Sequence, residues 1–231
     1  MKKIGIMIAA ALAVISAYCS PVKSPIAARN GFMEVEENVL PSGARYVEYL
    51  ESTGTQYIDT MVNVSPDIGV YIDFQFSNER REQMLFGALS AGIARYYPVW
   101  RGLDTLYWSS SLNGSLEGIY APNDSNRHTI THNFLNDRKA TIDGVVKGTN
   151  IKTPSVSVQV SNFLYARHYS SMAYISSAKI FECNISIGSN VVRKFRPIAI
   201  GNVGYMLDLV SGEYLQYGNK GTGDFIIGPD I

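Results

Sequence analysis

From Asp67 to Phe76 every second residue is apolar: Ile68, Val70, Ile72, Phe74 and Phe76 fall on one side of a period-two template, with polar or small residues between them. A strand presents alternate side chains to opposite faces, so this segment predicts a strand with one face in a core. The same short alternating runs, punctuated by turn residues, fill the chain from Arg45 onward. "QMLFGALS", "RYYPVW" and "TLYWSSS" read as further strands, as do "SVSVQVSNFLYA", "AYISSAKIFECNISI" and "VVRKFRPIAI". "RHTITHNF" and "KATIDGVVKG", joined by "LND", read as a hairpin, and Asp143-Gly144 supplies a second tight turn of the kind that uses positive φ. No segment offers an amphipathic period of ten residues or more, so the pattern predicts an all-β chain with two packed antiparallel sheets.

The opening stretch "RYVEYLESTGTQYIDT" reads as a continuous edge strand followed by a turn and a second strand. On that reading Tyr46, Glu48 and Leu50 share one side and Val47, Tyr49 and Glu51 the other. The ending predicts a short strand, a turn at Ser211-Gly212, a second short strand, a glycine-rich loop and a last strand. Gly218, Gly221 and Gly223 lack the following helix and the Lys-Ser/Thr of a phosphate-binding loop, so they read as a turn that closes the sandwich.

The N-terminus breaks this pattern. Lys2 and Lys3 precede the apolar run Ile4 to Ile15 and small residues at Ser16 and Ala17, the layout of a secretory signal peptide over residues 1–19. The run falls short of the about 20 residues that a membrane-spanning helix needs, so the mature chain is expected to carry no transmembrane span. Cys19 offers lipid attachment as the alternative, although Tyr18 stands where such signals place a small residue. Residues 20–43 mix Pro, Gly and polar residues without a period and read as a linker or N-terminal arm, leaving residues 44–231 as one domain. The expected localisation is secreted, cell-surface or periplasmic in a bacterium, with Cys19 as a lipid anchor in the alternative.

Composition narrows the partners. The 20 Lys and Arg balance the 20 Asp and Glu, leaving no basic field for a phosphate backbone, so nucleic acid is not an expected partner. With the leader removed, Cys183 would be the sole cysteine; "KIFECNISI" places it on a strand as a small buried hydrophobe.

Candidate chemistry is sparse. A retaining glycosidase needs two carboxylates about 5 Å apart. Glu34 and Glu36 share a face but lie in the arm, and Glu48 and Glu51 are predicted to face opposite ways. His128 and His132 would bind one metal on a helix, but on a strand they stand roughly 13 Å apart, and with His168 they read as polar strand residues. No catalytic residue, metal site or cofactor is expected. The aromatic supply is different: the 15 Tyr include a cluster with both Trp in "ARYYPVWRGLDTLYW". Rings that stack on sugar C–H faces, beside charged groups that bond hydroxyls, make Tyr96, Tyr97, Trp100, Arg101, Tyr107 and Trp108 the candidate ligand-binding residues. The competing reading makes the same rings ordinary core.

"YVEYLESTGTQYIDT", "FGALSAGIARYYPVWRG", "RHTITHNF" with "KATIDGVV", and the block from "AKIFECNISI" to "GTGDFIIGP" together resemble the laminin-G-like, concanavalin A-like jelly-roll domains of bacterial surface and phage-associated proteins. The resemblance spans about residues 44 to 229, and its most specific parts are the "ESTGTQYIDT" opening and the "GTGDFIIG" closing. Lys194 and Leu207 depart from the group's pattern, where an acidic residue and a Tyr are usual. The resemblance implies a jelly-roll sandwich and a non-catalytic module for carbohydrate or surface recognition. A glycan is thus the first expected partner, a surface protein engaged by a strand edge or the arm the second, and glycoside hydrolysis the third reading.

Overall fold

A computed structural model describes residues 40–78, 82–90, 94–101, 105–109, 116–120, 124–150, 153–168 and 175–231, with backbone alone at 82, 94, 95, 97–101, 105–109 and 116–120. The chain passes back and forth between two sheets. It starts in the larger one with β1 (Ala44–Tyr46) and β2 (Leu50–Thr53), crosses to the smaller with β3 (Ile58–Val64), and returns with β4 (Ile68–Phe76). The smaller sheet then takes β5 (Glu82–Gln83), β6 (Phe86–Ser90), β7 (Ala94–Arg101), β8 (Thr105–Ser109) and β9 (Leu116–Tyr120). The larger receives β10 (Arg127–His132), β11 (Lys139–Ile142) and β12 (Val145–Thr149). After β13 (Val158–Leu164) in the smaller sheet, β14 (Ser177–Ile187), β15 (Asn190–Ile200), β16 (Val203–Asp208) and β17 (Ile226–Ile227) complete the larger.

Strand order is β1-β15-β14-β4-β10-β11-β12 in the ten-stranded sheet and β3-β13-β6-β7-β8-β9 in the seven-stranded one. All strand pairs are antiparallel, so the fold is an antiparallel jelly-roll sandwich, as the alternation predicts. Among the described residues the only helical pieces are 3-10 turns at Phe134–Asn136 and Leu215–Tyr217.

The core is the facing sides of the two sheets. Ile68, Val70, Ile72, Phe74 and Phe76 of β4 are all buried in it, and Cys183 joins them as a buried free thiol. The β10–β11 hairpin forms as expected, and Asp143 (φ 51) with Gly144 (φ 74) makes the next turn. Burying a side chain such as Phe74 stabilises the sandwich by about 2–3 kcal/mol against leaving it exposed.

Three local expectations change. The opening strand is not continuous: the chain bends at Glu48 and exchanges its partner β15 for β14. The alternation slips there, so Val47 and Leu50 are both in the core, while Glu48 pairs with Arg127 at 3.7 Å and Glu51 meets Ser77. Nor is this stretch an edge throughout, because β2 lies between β14 and β17. The second short strand near the C-terminus is instead the 3-10 turn Leu215–Tyr217. Buried Asp208 organises the approach to that turn, accepting hydrogen bonds from the Lys194 and Val210 amides and the Ser211 hydroxyl, and Tyr217 packs edge-on against Phe195 at 4.9 Å.

The two ends of the domain interlock. Gln56 accepts from the Thr53 amide at 2.8 Å and donates to the Asp224 carbonyl at 3.1 Å, while the Thr222 amide donates to the Thr55 carbonyl. Gly221 permits this approach, since a Cβ there would stand 1.9 Å from the Thr55 carbonyl oxygen. The glycine-rich segment is therefore the closing turn that the missing phosphate-loop context predicts.

Candidate ligand-binding site

All six residues of the ring-rich candidate set lie on β7 and β8, which pair directly. The ladder places Tyr97 opposite Ser109, Pro98 opposite Trp108, Val99 opposite Tyr107 and Trp100 opposite Leu106. Trp100 and Trp108 are thus diagonal neighbours, about 7 Å apart. Arg101 pairs with Glu82 of β5 on the other side of β7. The side chains of Tyr97, Trp100, Arg101, Tyr107 and Trp108 lie outside the described residues.

Tyr96 is described, and it belongs to the core. It is wholly buried, edge-on to Phe86 at 6.0 Å, with its hydroxyl 3.0 Å from Nδ1 of His132. Ring content does not distinguish a core tyrosine from a surface one, and the deciding partner, His132, stands on the opposite sheet.

Two strands away from β7, a column of rings covers the outside of β13. Tyr57 stacks on Phe163 at 4.7 Å, and His168 stacks on the same ring at 4.1 Å with an interplanar angle of 6°. Backbone bonds place His168 against β6: its amide donates to the Gly87 carbonyl, and its carbonyl accepts from Leu89. The sequence conceals this column, because Tyr57 and Phe163 meet only through the β3–β13 pairing.

The other two histidines are not ordinary polar strand residues either. His132 is fully buried, and burial lowers its pKa to about 3, keeping the ring neutral. His128 sits at the rim between two carboxylates, with Nδ1 2.8 Å from Asp143 and Nε2 2.9 Å from Asp124. Burial pulls its pKa down, but the bonds to Asp124 and Asp143 outweigh that pull, and the pKa is raised. Among the described residues no group of three or more His, Cys, Asp or Glu is arranged to hold a metal ion. No helix among them is long and apolar enough to cross a membrane.

No protein-family model matches the chain, and no curated protein matches it. Among solved structures it is similar to a native heptameric SAP-like pentraxin from Limulus polyphemus, at 8% identity and a TM-score of 0.48, over 80% of this chain and 94% of that one. Identity this low carries nothing about a ligand.

Proposed function

We propose that this chain is an exported, non-catalytic binding module of the laminin-G-like kind that recognises carbohydrate at a cell surface. The observation that carries the reading is the β7–β8 ladder, which gathers both Trp with Tyr97, Arg101 and Tyr107 on two paired strands, Trp100 and Trp108 as diagonal neighbours at register positions on the side of Tyr96 and the other three at positions on the opposite side. Rings held at the face or rim of a rigid sheet match a sugar's C–H face and cost little conformational entropy to present. The ring column of Tyr57, Phe163 and His168 extends the aromatic content of the same sheet. A signal peptide over residues 1–19, with Cys19 as an alternative lipid anchor, would bring the module outside the cell.

Affinity electrophoresis through host and plant polysaccharides tests this. Retardation is expected, and it should weaken on replacing Trp100 or Trp108 by alanine. Retardation by none of the polymers, or retardation indifferent to both substitutions, overturns the reading.

A second reading, a protein-binding adhesion or assembly module, is favoured by one feature. Among the described residues β12 is the terminal strand of the larger sheet, and its Val145 and Val146 are 56% and 49% exposed. An apolar pair on a terminal strand suits addition of a partner strand. If so, Val146→Lys lowers a mass measured by light scattering, which the glycan reading leaves unchanged.

A further inference from the structure

The outward face of the larger sheet is built differently from the ring-rich strands, and side chains describe it. β4 runs between β10 and β14 and turns Tyr71 and Asp73 outward between its buried residues. Register sets their neighbours: Tyr71 lies opposite Thr131 and Asn184, and Asp73 opposite Thr129 and Glu182. Strict alternation along β14 would put Glu182 on the side of buried Ile180 and Cys183 on the side of Lys179. A bulge between Ile180 and Glu182 resets the phase, so Cys183 enters the core and Glu182 stays outside. Phe181, the extra residue, emerges on the outer face under the Arg127 guanidinium, 3.7 Å from its ring centroid, and edge-on to Tyr49 at 5.6 Å.

These contacts close one end of a shallow trough. The other end is closed by the turn at Phe134–Asn136, which lies directly on the sheet. A Cβ at Gly69 would stand 2.1 Å from the Asn133 carbonyl oxygen, and the Leu135 amide donates to Ser186 Oγ at 2.9 Å. The turn sets the Phe134 ring 6.3 Å from that of Tyr71.

The floor is polar, rigid and self-neutralised. Arg127 donates to both oxygens of Asp73 at 2.8 and 2.7 Å, and Arg196 pairs with Glu182 at 2.9 Å. Asn184 donates to Glu182 at 2.8 Å, while its buried side-chain Oδ1 has no hydrogen-bond partner among the described residues. The pKa of the Tyr71 phenol is raised, by burial first and then by Asp73 and Glu182, so the hydroxyl keeps its proton and can donate. Arg127 and Arg196 are each answered by a carboxylate, which leaves Lys194, opposite Asn184 on the same face, as the cation beside the floor that stands outside these two ion pairs. Among the described residues none of the exposed large apolar side chains lies beside Tyr71 and Asp73 on the floor; Leu135 and Val191 stand at the end turn, around Ser186. A protein partner would therefore find little apolar surface to bury.

We propose that this trough between Phe134 and Phe181 is a binding site for an uncharged, hydroxyl-rich saccharide. Tyr71 and Phe134 offer ring faces to sugar C–H surfaces, and Asp73, Glu182, Asn184 and Arg196 offer planar donors and acceptors to hydroxyls. The ion pairs hold those groups in place before binding, which keeps the ordering cost low. The inference rests on the carbohydrate reading but places a site on the other sheet.

The test runs the full chain through gels containing neutral polymers (a β-glucan, a mannan, a xylan) or anionic ones (polygalacturonate, chondroitin sulfate). At least one neutral polymer should retard it, with apparent affinity falling at least tenfold in Tyr71→Ala and in Phe134→Ala. Phe134 is only partly buried and lies in a turn outside the core, so its variant carries the test if Tyr71→Ala does not fold. Retardation only by anionic polymers overturns the proposal, as does neutral-polymer binding that both variants preserve. Binding lost in the Trp100→Ala/Trp108→Ala double variant but kept in the trough variants leaves the ring-ladder reading standing and this one fallen. The reverse pattern supports the trough and overturns the ladder, and no retardation at all overturns both.

Discussion

Strand β10 carries a histidine at each end, on the same inward-turned positions, and the two ends hold them in opposite ways. His132 lies in the core with the Tyr96 hydroxyl against its Nδ1, and burial lowers its pKa. His128, about 13 Å along the strand, meets Asp124 and Asp143 at the rim, and its pKa is raised. Identical chemistry on one strand thus responds to pH in two senses, because depth in the sandwich decides whether desolvation or a carboxylate wins.

The comparison gives a bell-shaped stability profile. The unfolded chain binds a proton at His132 near pH 6.5, whereas the folded chain resists it down to about 3. Between those values the unfolded state holds the extra proton, so stability falls as pH falls. At His128 the folded state holds the proton longer than the unfolded one. Its contribution is therefore full below about 6.5 and is lost as pH rises through the raised pKa. The two limbs meet near pH 6.5.

The largest effect expected is on the acid limb. Over its whole window His132 should cost about 4 to 5 kcal/mol, and His132→Gln should flatten the limb by roughly one proton in urea unfolding measured from pH 7 to pH 4. An acid limb unchanged by that substitution breaks the comparison at its deep end. Tyr96→Ala comes next: removing a wholly buried ring that also bonds His132 should cost about 3–4 kcal/mol at neutral pH, read as a lower urea midpoint with an unchanged slope. The smallest is His128→Gln, under about 1 kcal/mol because Asp124 and Asp143 are substantially exposed. It should nevertheless remove the alkaline decline between pH 6 and 8, and NMR titration should place the imidazole pKa of His128 above 6.5 in the unmodified protein.

Period-two alternation needs only the strand itself, so β4 and its five core residues were legible without a partner. The Asp143-Gly144 turn and the closing role of Gly221 were legible for the same reason, being local demands on backbone conformation. The bend at Glu48 and the bulge at Phe181 were not, since each depends on how β14 pairs, and each shifts the inward phase by one residue. Among the candidate site residues, the ladder of β7 and β8 followed from their strand character. The burial of Tyr96 did not, because it is fixed by a histidine on the facing sheet.

The amino-acid sequence by itself determined that this chain is an antiparallel β sandwich, which residues of β4 fill its core, and that its opening and closing segments belong together. Tertiary structure alone decided the environments: a core place for Tyr96, opposite pKa shifts for His128 and His132, and the assembly of Tyr71, Phe134, Phe181, Glu182 and Arg196 on one outer face. The physical reason is range. Alternation and turn preference act between neighbours along the chain, whereas desolvation, ion pairing and ring contact act between residues that only sheet register brings together.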